Sequence, residues 1–276
     1  MRDDFCVFIL THGRPESIYT LASLHRAGYS GKVFIVIDNE DQKAAKYRAL
    51  YGESVLMFDK EKTAKTFDEG DNFNDRRAIV YARNACFELA KEVGCRYFMQ
   101  LDDDYTAFNY KFNSKGEWGE WSICSLDDVL DALLAYYLST DALTIAMAQN
   151  GDFIGGGESG MAEAIKAKRK AMNTFLCSAD RPFQFFGRIN EDVNTYTNLG
   201  RRGFLFLTVA GLAIIQKATQ ANSGGMTELY LDSGTYVKSF YSVMYSPSCV
   251  KIAEMGETHR RLHHRVNWRA AVPKIL

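Results

Sequence analysis

The sequence predicts an α/β protein, a mixed but mostly parallel central sheet flanked by helices, built as a single domain. Three observations predict it. Strand and helix signals alternate from Phe5 to Leu101; no linker, repeat or low-complexity tract interrupts the chain; and 276 residues suffice for one large core. Lys and Arg number 33 against 34 Asp and Glu, and hydrophobics reach 47%, which excludes a disordered chain and a polycation made for duplex DNA. Any nucleic-acid contact must come from local patches.

The apolar run Phe5–Leu10 reads as the first strand and Glu16–Ala27 as the first helix. Val33–Ile37 with Glu40–Tyr51, and Ser54–Phe58 with Arg76–Val93, repeat the unit before the strand Tyr97–Leu101. In the third helix Ile79, Ala82, Cys86, Leu89 and Val93 recur at three- and four-residue spacing, and Gly94 follows as a stop. Carried back to Arg76, that helix sets Arg76 with Arg83 on one stripe and Arg77 with Asn84 on the next. Ser125 stands as an N-cap before the face Leu126, Val129, Leu130, Leu133, Leu134 and Tyr137, and Ala142–Met147 is the strand after it.

After Asp152 the pattern changes to Gly155-Gly156-Gly157, a basic run from Lys166 to Lys170, an aromatic run Phe183–Phe186, and long strands without regular helices between them. This half is expected to be more antiparallel. The apolar stretch Phe204–Ile215 stops short of the ~18–20 residues of a membrane span, so it reads as buried strand. Met1-Arg2-Asp3-Asp4 runs into the first strand with no small-residue cleavage site, which predicts a cytoplasmic protein with no membrane partner. The six cysteines form no C-x-x-C pair and are expected to be buried free thiols.

The strongest chemical signal is Asp102-Asp103-Asp104 at the end of a buried strand. Ligands of open α/β sheets bind at such carboxyl ends, and three acids there repel one another unless a cation holds them. Carboxylate oxygens suit Mg²⁺ or Mn²⁺, which also neutralise a diphosphate. The bland rival is a solvated acidic turn. Thr11-His12-Gly13-Arg14-Pro15 and Asp38-Asn39 end the first two strands on the same rim, where ordinary turn chemistry is the rival. Glu191-Asp192 enters a helix running through Val193–Leu199 to Gly200 and offers a general base for an acceptor hydroxyl, with helix-dipole complementation as the rival. The stretch Gly256–Arg265 holds three of the five histidines, and its neighbouring cations suit a leaving diphosphate. The phosphate-loop, zinc-protease helix and serine-hydrolase elbow motifs are absent.

Together these residues resemble a GT-A (Rossmann-like) glycosyltransferase in order and over nearly the whole chain. The aspartate triplet resembles the D-x-D motif. That resemblance implies Asp104, Asp102 and His259 on a divalent metal, with Asp102 near the ribose and sugar and Asp103 facing the sugar. It implies Thr11, Arg14, Asp38, Arg77 and Arg83 around a nucleotide-sugar, a UDP-sugar by expectation. It also makes Glu191 and Asp192 the acceptor-side acids. The D-D-D-Y form, the length and the Gly-rich segment are similar to the phage TET/JBP-associated glycosyltransferases, which implies a 5-hydroxymethylpyrimidine in phage DNA as acceptor. Gly155, Gly156, Gly157 and Arg188 then fall on the acceptor side, and the location becomes the cytoplasm of an infected host. On this reading residues 1–105 form the nucleotide-sugar half and 106–276 the acceptor and catalytic half. A base inside a duplex must leave the stack to be modified, so Phe183, Phe185, Phe186, Arg181 and Arg188 are expected around the acceptor mouth. The rivals are a transferase acting on a polysaccharide or other glycan, a nucleotidyltransferase, and a non-catalytic binder of nucleotide-sugar or modified DNA. The sequence leaves the sugar, the anomeric outcome and the oligomeric state open.

Overall fold

Every residue of strand β1 (Phe5–Leu10) is buried, because side chains alternate between two covered faces of the sheet. Phe5, Val7 and Ile9 pack with helices α1 (Tyr19–Arg26) and α5 (Leu126–Leu138) in one core. Cys6, Phe8 and Leu10 pack with α4 (Val80–Glu92) and α6 (Glu191–Gly200) in the other. The computed structural model describes residues 1–71, 73–153, 165–217, 236–255 and 261–274.

The remaining strands are β2 (Lys32–Asp38), β3 (Val55–Phe58), β4 (Tyr97–Asp102), β5 (Tyr105–Phe112), β6 (Trp118–Ser122), β7 (Ala142–Gln149), β8 (Ile165–Lys166), β9 (Phe175–Ser178), β10 (Leu205–Gln216), β11 (Val250–Met255) and β12 (Arg261–Val266). The other helices are α2 (Ala44–Tyr51), α3 (Lys60–Ala64), α7 (Tyr236–Tyr245) and α8 (Trp268–Ala271). Among the described residues the main sheet has ten strands in the order β3-β2-β1-β4-β9-β7-β10-β5-β6, with β8 on β10. The first four run parallel, as do β7 and β10. Only β9, β5 and β8 run against the rest, so the sheet is mixed and mostly parallel. β11 and β12 form a separate antiparallel pair. No helix among the described residues is long and apolar enough to cross a membrane.

The chain leaves β1 toward β2 and β3, then crosses back to place β4 on the other side of β1. The loops after β1 and β4 therefore part, and the crevice between them is where an open α/β sheet takes its ligand.

Two expectations about elements need correction, and one hairpin has no counterpart among them. The third helix starts at Val80, not Arg76. Ahead of it Asp68, Asp71 and Asp75 accept hydrogen bonds from the backbone N–H of Gly70, Phe73 and Arg77, and these side-chain turns compete with helix. Arg76 and Arg77 thus share no stripe with Arg83 and Asn84. The second half does contain a regular helix, α7, whose pattern is inverted. Ser239, Tyr241 and Ser242 are buried, while Tyr236, Phe240 and Met244 are about half exposed. The hairpin β5–β6 also lacks a clear signal, since β6 is a largely exposed edge strand without alternation. Five of the cysteines are buried free thiols; Cys124 is free but exposed.

Candidate active site

The turn between β4 and β5 is the aspartate triplet, and α1 holds its backbone. Thr20 Oγ1 donates to the Asp102 carbonyl at 2.5 Å and accepts from the Tyr105 N–H at 3.0 Å, and the Thr20 N–H reaches the Asp103 carbonyl at 3.2 Å. From the far side the Lys217 N–H meets the Asp104 carbonyl at 3.2 Å. The three carboxylates are thereby aimed from one rigid corner.

Above that corner lies a cleft of about 420 Å³. Its walls bring together Thr11, His12 and Arg14 from the β1 loop, Asp38 from β2, Lys60 from α3, Arg77 from the loop before α4, and Asp102, Asp103 and Asp104. Leu10, Phe58, Ala78, Ile79 and Ala82 supply its apolar surface. This is the pocket form expected of a small-ligand site, mostly apolar with a few convergent polar groups.

Asp103 is 3% exposed and ties two banks together. It accepts from Thr11 Oγ1 at 2.6 Å and pairs with Arg14 Nη2 at 3.1 Å. Tyr47 completes that bank: its hydroxyl accepts from the Arg14 N–H at 2.8 Å and lies 3.1 Å from Thr11 Oγ1. Gly13 sits at φ +71, a left-handed turn that suits glycine, and its N–H donates to Asp41 Oδ2 at 2.7 Å. Asp38 meets His12 Nδ1 at 2.8 Å and Lys60 Nζ at 3.3 Å. Burial opposes its charge, but His12 and Lys60 outweigh that and hold the carboxyl below its ordinary range.

The triplet is the reverse case. Burial, then Asp102 and Asp103, push the Asp104 carboxyl up to about 7. Burial also raises Asp102 against the pull of Arg83, and Asp103 against that of Arg14. No cation of the described residues reaches Asp104 within ion-pair distance, so the corner carries an excess of negative charge.

Arg83 is 2% exposed and lines no open wall. Its Nη2 donates to Asp102 Oδ1 and its Nε to Glu191 Oε1, each at 3.0 Å, under the Phe175 ring at 4.8 Å. Burial works against its charge, and Asp102 and Glu191 outweigh it. The guanidinium therefore joins the aspartate triplet to Glu191 instead of standing in the cleft. Its neighbour Asn84 fixes the segment before α6 through both main-chain groups of Phe185, at 2.8 and 3.1 Å. Glu191, pushed up to about 7 by burial despite Arg83, and Asp192 open α6 just after Asn190, a left-handed residue at φ 60. Both acids stand outside the walls of the cleft, on its Asp102 flank.

Arg188 is not on an open face. It is 3% exposed, and Asp71 at 2.8 Å and Asp75 at 3.4 Å take its guanidinium, because a buried charge must be paired. Phe183 and Phe185 pack with Phe87, Phe175 and Phe206 in the core, so they do not flank a mouth. Arg181 donates from Nη1 to the carbonyls of Thr140 and Ala142, and its guanidinium lies over the Tyr137 ring. His264 is buried and held to about 3 by burial and by Lys170, so it stays neutral and gives no cation. Gly155, Gly156, Gly157 and His259 lie outside the described residues. Thr20, Tyr47 and Lys60 carry no sequence signal: each is a common residue in a helix that only the fold turns toward the triplet (Thr20), the β1 loop (Tyr47) or the cleft (Lys60).

The solved structures that resemble the chain include the following two. A mannosyltransferase from Pyrobaculum calidifontis in complex with GDP-Man and Mn²⁺ is 10% identical, covering 89% of this chain and 74% of that one at a TM-score of 0.49. A mycobacterial protein is 7% identical, covering 96% and 84% at a TM-score of 0.47. No curated protein matches the chain. The family model of the TET-Associated Glycosyltransferases matches residues 5–225, a span that holds all ten strands of the main sheet, the whole cleft and both acids of α6. The chain belongs to the TET-associated glycosyltransferase family.

Proposed function

We propose that this glycosyltransferase moves a sugar from a nucleotide-sugar, a UDP-sugar, to the hydroxyl of a 5-hydroxymethylpyrimidine in DNA, with a divalent metal at the triplet. One observation carries the reading. The cleft at the switch point joins a base-sized apolar floor, the guanidinium groups of Arg14 and Arg77, and an acidic corner whose Asp104 has no cation of the described residues within ion-pair distance. A nucleoside diphosphate needs those three features in that order.

The metal fit is partial and informative. Among the described residues no three His, Cys, Asp or Glu side chains converge on one point. Asp104 and Asp102 would supply two hard oxygens, and a Mg²⁺-like ion takes its remaining ligands from substrate phosphate and water. When bound, the ion neutralises charge on the leaving diphosphate. The chain's own residues do the rest. Arg14 and Arg77 face the phosphates as fixed cations, Asp103 keeps Thr11 and Arg14 in place, and Arg83 orients Asp102 against Glu191. Glu191 or Asp192 takes the proton of the acceptor hydroxyl, and the raised affinity of Glu191 for a proton suits a base working near neutral pH. Residues 1–105 serve the donor and 106–276 the acceptor in this scheme.

The test incubates the protein with Mn²⁺, a panel of UDP-sugars and duplex DNA containing 5-hydroxymethylcytosine, then weighs the digested nucleosides. A hexose or pentose increment on the hydroxymethylated DNA only is the expected result. Mn²⁺-dependent release of UDP without that increment would replace DNA by a glycan acceptor. Tight nucleotide-sugar binding with no turnover would leave a binding module.

A further inference from the structure

Lys60 opens α3, where the sequence offers only a charged helix start, yet its side chain is 6% exposed and lines the cleft. Burying an ammonium is costly unless it is paired and used. Its Nζ lies 3.3 Å from Asp38 Oδ2 and 5.7 Å from the centre of the Tyr81 ring. The pair is also pinned from behind. The Lys60 N–H donates to Asn39 Oδ1 at 3.0 Å, the Glu40 N–H to Asp38 Oδ1 at 3.1 Å, and His12 Nδ1 meets Asp38 Oδ2 at 2.8 Å. Beside it Phe58 and Ile79 form apolar walls. An apolar slot that ends in a donor cation next to an acceptor carboxylate complements one kind of ring edge, a carbonyl oxygen adjoining a ring N–H.

We propose that Lys60 determines which nucleobase the donor carries. Its ammonium donates to a ring carbonyl oxygen while Asp38 accepts the adjoining ring N–H, so the site takes a keto-base, uracil or guanine. This deepens the reading of the cleft as a nucleotide-sugar seat and rests on it. In the same seat cytosine and adenine set an unprotonated ring nitrogen against the carboxylate and an amino group against the ammonium. A site built to pair polar groups rejects the ligand that leaves them unpaired, which in a buried setting amounts to roughly 10–100-fold.

The experiment titrates the full chain, with Mn²⁺ present, with UDP, GDP, CDP and ADP, and with pyrophosphate as a base-free probe. UDP or GDP should bind at least about 10-fold more tightly than CDP and ADP, and whichever does so names the base. Lys60→Met should bring all four within about threefold while pyrophosphate affinity stays unchanged, and Lys60→Arg should keep the preference. Lys60→Met strands a buried carboxylate, so the double variant Lys60→Met/Asp38→Asn, which removes both charges, is measured beside it and should also lose the preference. Equal binding of the four by the wild type, or a preference that survives in Lys60→Met and the double variant, overturns the role of Lys60 and leaves the cleft a nucleotide site. If none of the four binds, the donor-site reading itself falls, and this inference with it.

Discussion

Asp104 concentrates the tension of the site in a single side chain. Its carboxyl, ordinarily near 3.8, is pushed up to about 7 by burial and by Asp102 and Asp103. The folded chain therefore holds a proton that the unfolded chain has given up. The stability linked to that proton is full below about pH 4 and is lost as pH rises through 7. Without metal, Asp104→Asn should raise Tm at pH 8 by a few degrees, about 1–2 kcal/mol after allowance for solvent screening, and change nothing at pH 4. Thermal melts at the two pH values check this, and a lower Tm at pH 8 would sink it. The same variant should weaken Mn²⁺-dependent nucleotide binding by about 10–100-fold or more, read by calorimetry. Glu191→Gln and Asp192→Asn are the contrast. They should leave nucleotide affinity within a few-fold, and the variant that removes the working base should cost about 100–10,000-fold in turnover. The cleft residues legible in the sequence, Thr11, Arg14, Asp38 and the triplet, all stand at strand ends, where chain position alone predicts a common rim. Arg83 was legible as important but not in its placement, because no spacing says that a helical arginine will be sealed under Phe175 and Phe185 between two acids.

At the scale of elements, the segment 65–79 is tied, in its described residues, to the second half of the chain. Its carbonyls at Asp68 and Glu69 accept from the N–H groups of Gly187 and Arg188, each at 2.8 Å, and the Thr66 carbonyl accepts from Gln184 at 2.6 Å. Tyr241 and Tyr245 of α7 donate to Asp71 and to the Asp68 carbonyl. Arg188 is the centre of this clamp, three residues before Glu191, and shares Asp75 with Arg77. Breaking it with Arg188→Gln leaves Asp71 buried and short of its cation, which typically costs about 3–5 kcal/mol. The expected outcome is a lower Tm together with faster hydrogen exchange across 65–79, while β1 and β4 keep their protection. Uniform exchange over the whole sheet would mean that the clamp is only part of the global core. The sequence pattern runs the third helix through Arg76 because the apolar spacing that begins at Ile79 can be carried back a turn without meeting a Gly or Pro. It could not weigh three aspartates that satisfy main-chain N–H groups locally, and for the same reason it passed over α7, whose apolar side faces outward.

At the scale of the molecule, the first and second halves of the chain are sewn into one sheet. β9 of the second half pairs with β4 of the first, and α4 and α6 share one core. Thermal unfolding should therefore show a single transition, and residues 1–105 alone should fail to fold; two separated transitions would refute this. The charge of the whole molecule makes a further demand on the proposed acceptor. Formal net charge is −1, with 33 Lys and Arg against 34 Asp and Glu, and four arginines, Arg83, Arg169, Arg181 and Arg188, hold protein partners. A near-zero net charge gives no general attraction for phosphates, so a DNA acceptor would have to be recognised more through the modified base than through the backbone. Each phosphate contact contributes a slope of about −0.9 to the dependence of log affinity on log salt, so a slope no steeper than about −4 is expected. Fluorescence anisotropy on hydroxymethylated and plain duplexes, read between 50 and 200 mM salt, measures it. The same titration should show a preference for the hydroxymethylated duplex that persists at the higher salt, because a base held in a pocket is insensitive to counterions. A slope of about −8 with equal affinity for both duplexes would describe a non-specific basic footprint, and would remove DNA as the acceptor that this charge balance allows.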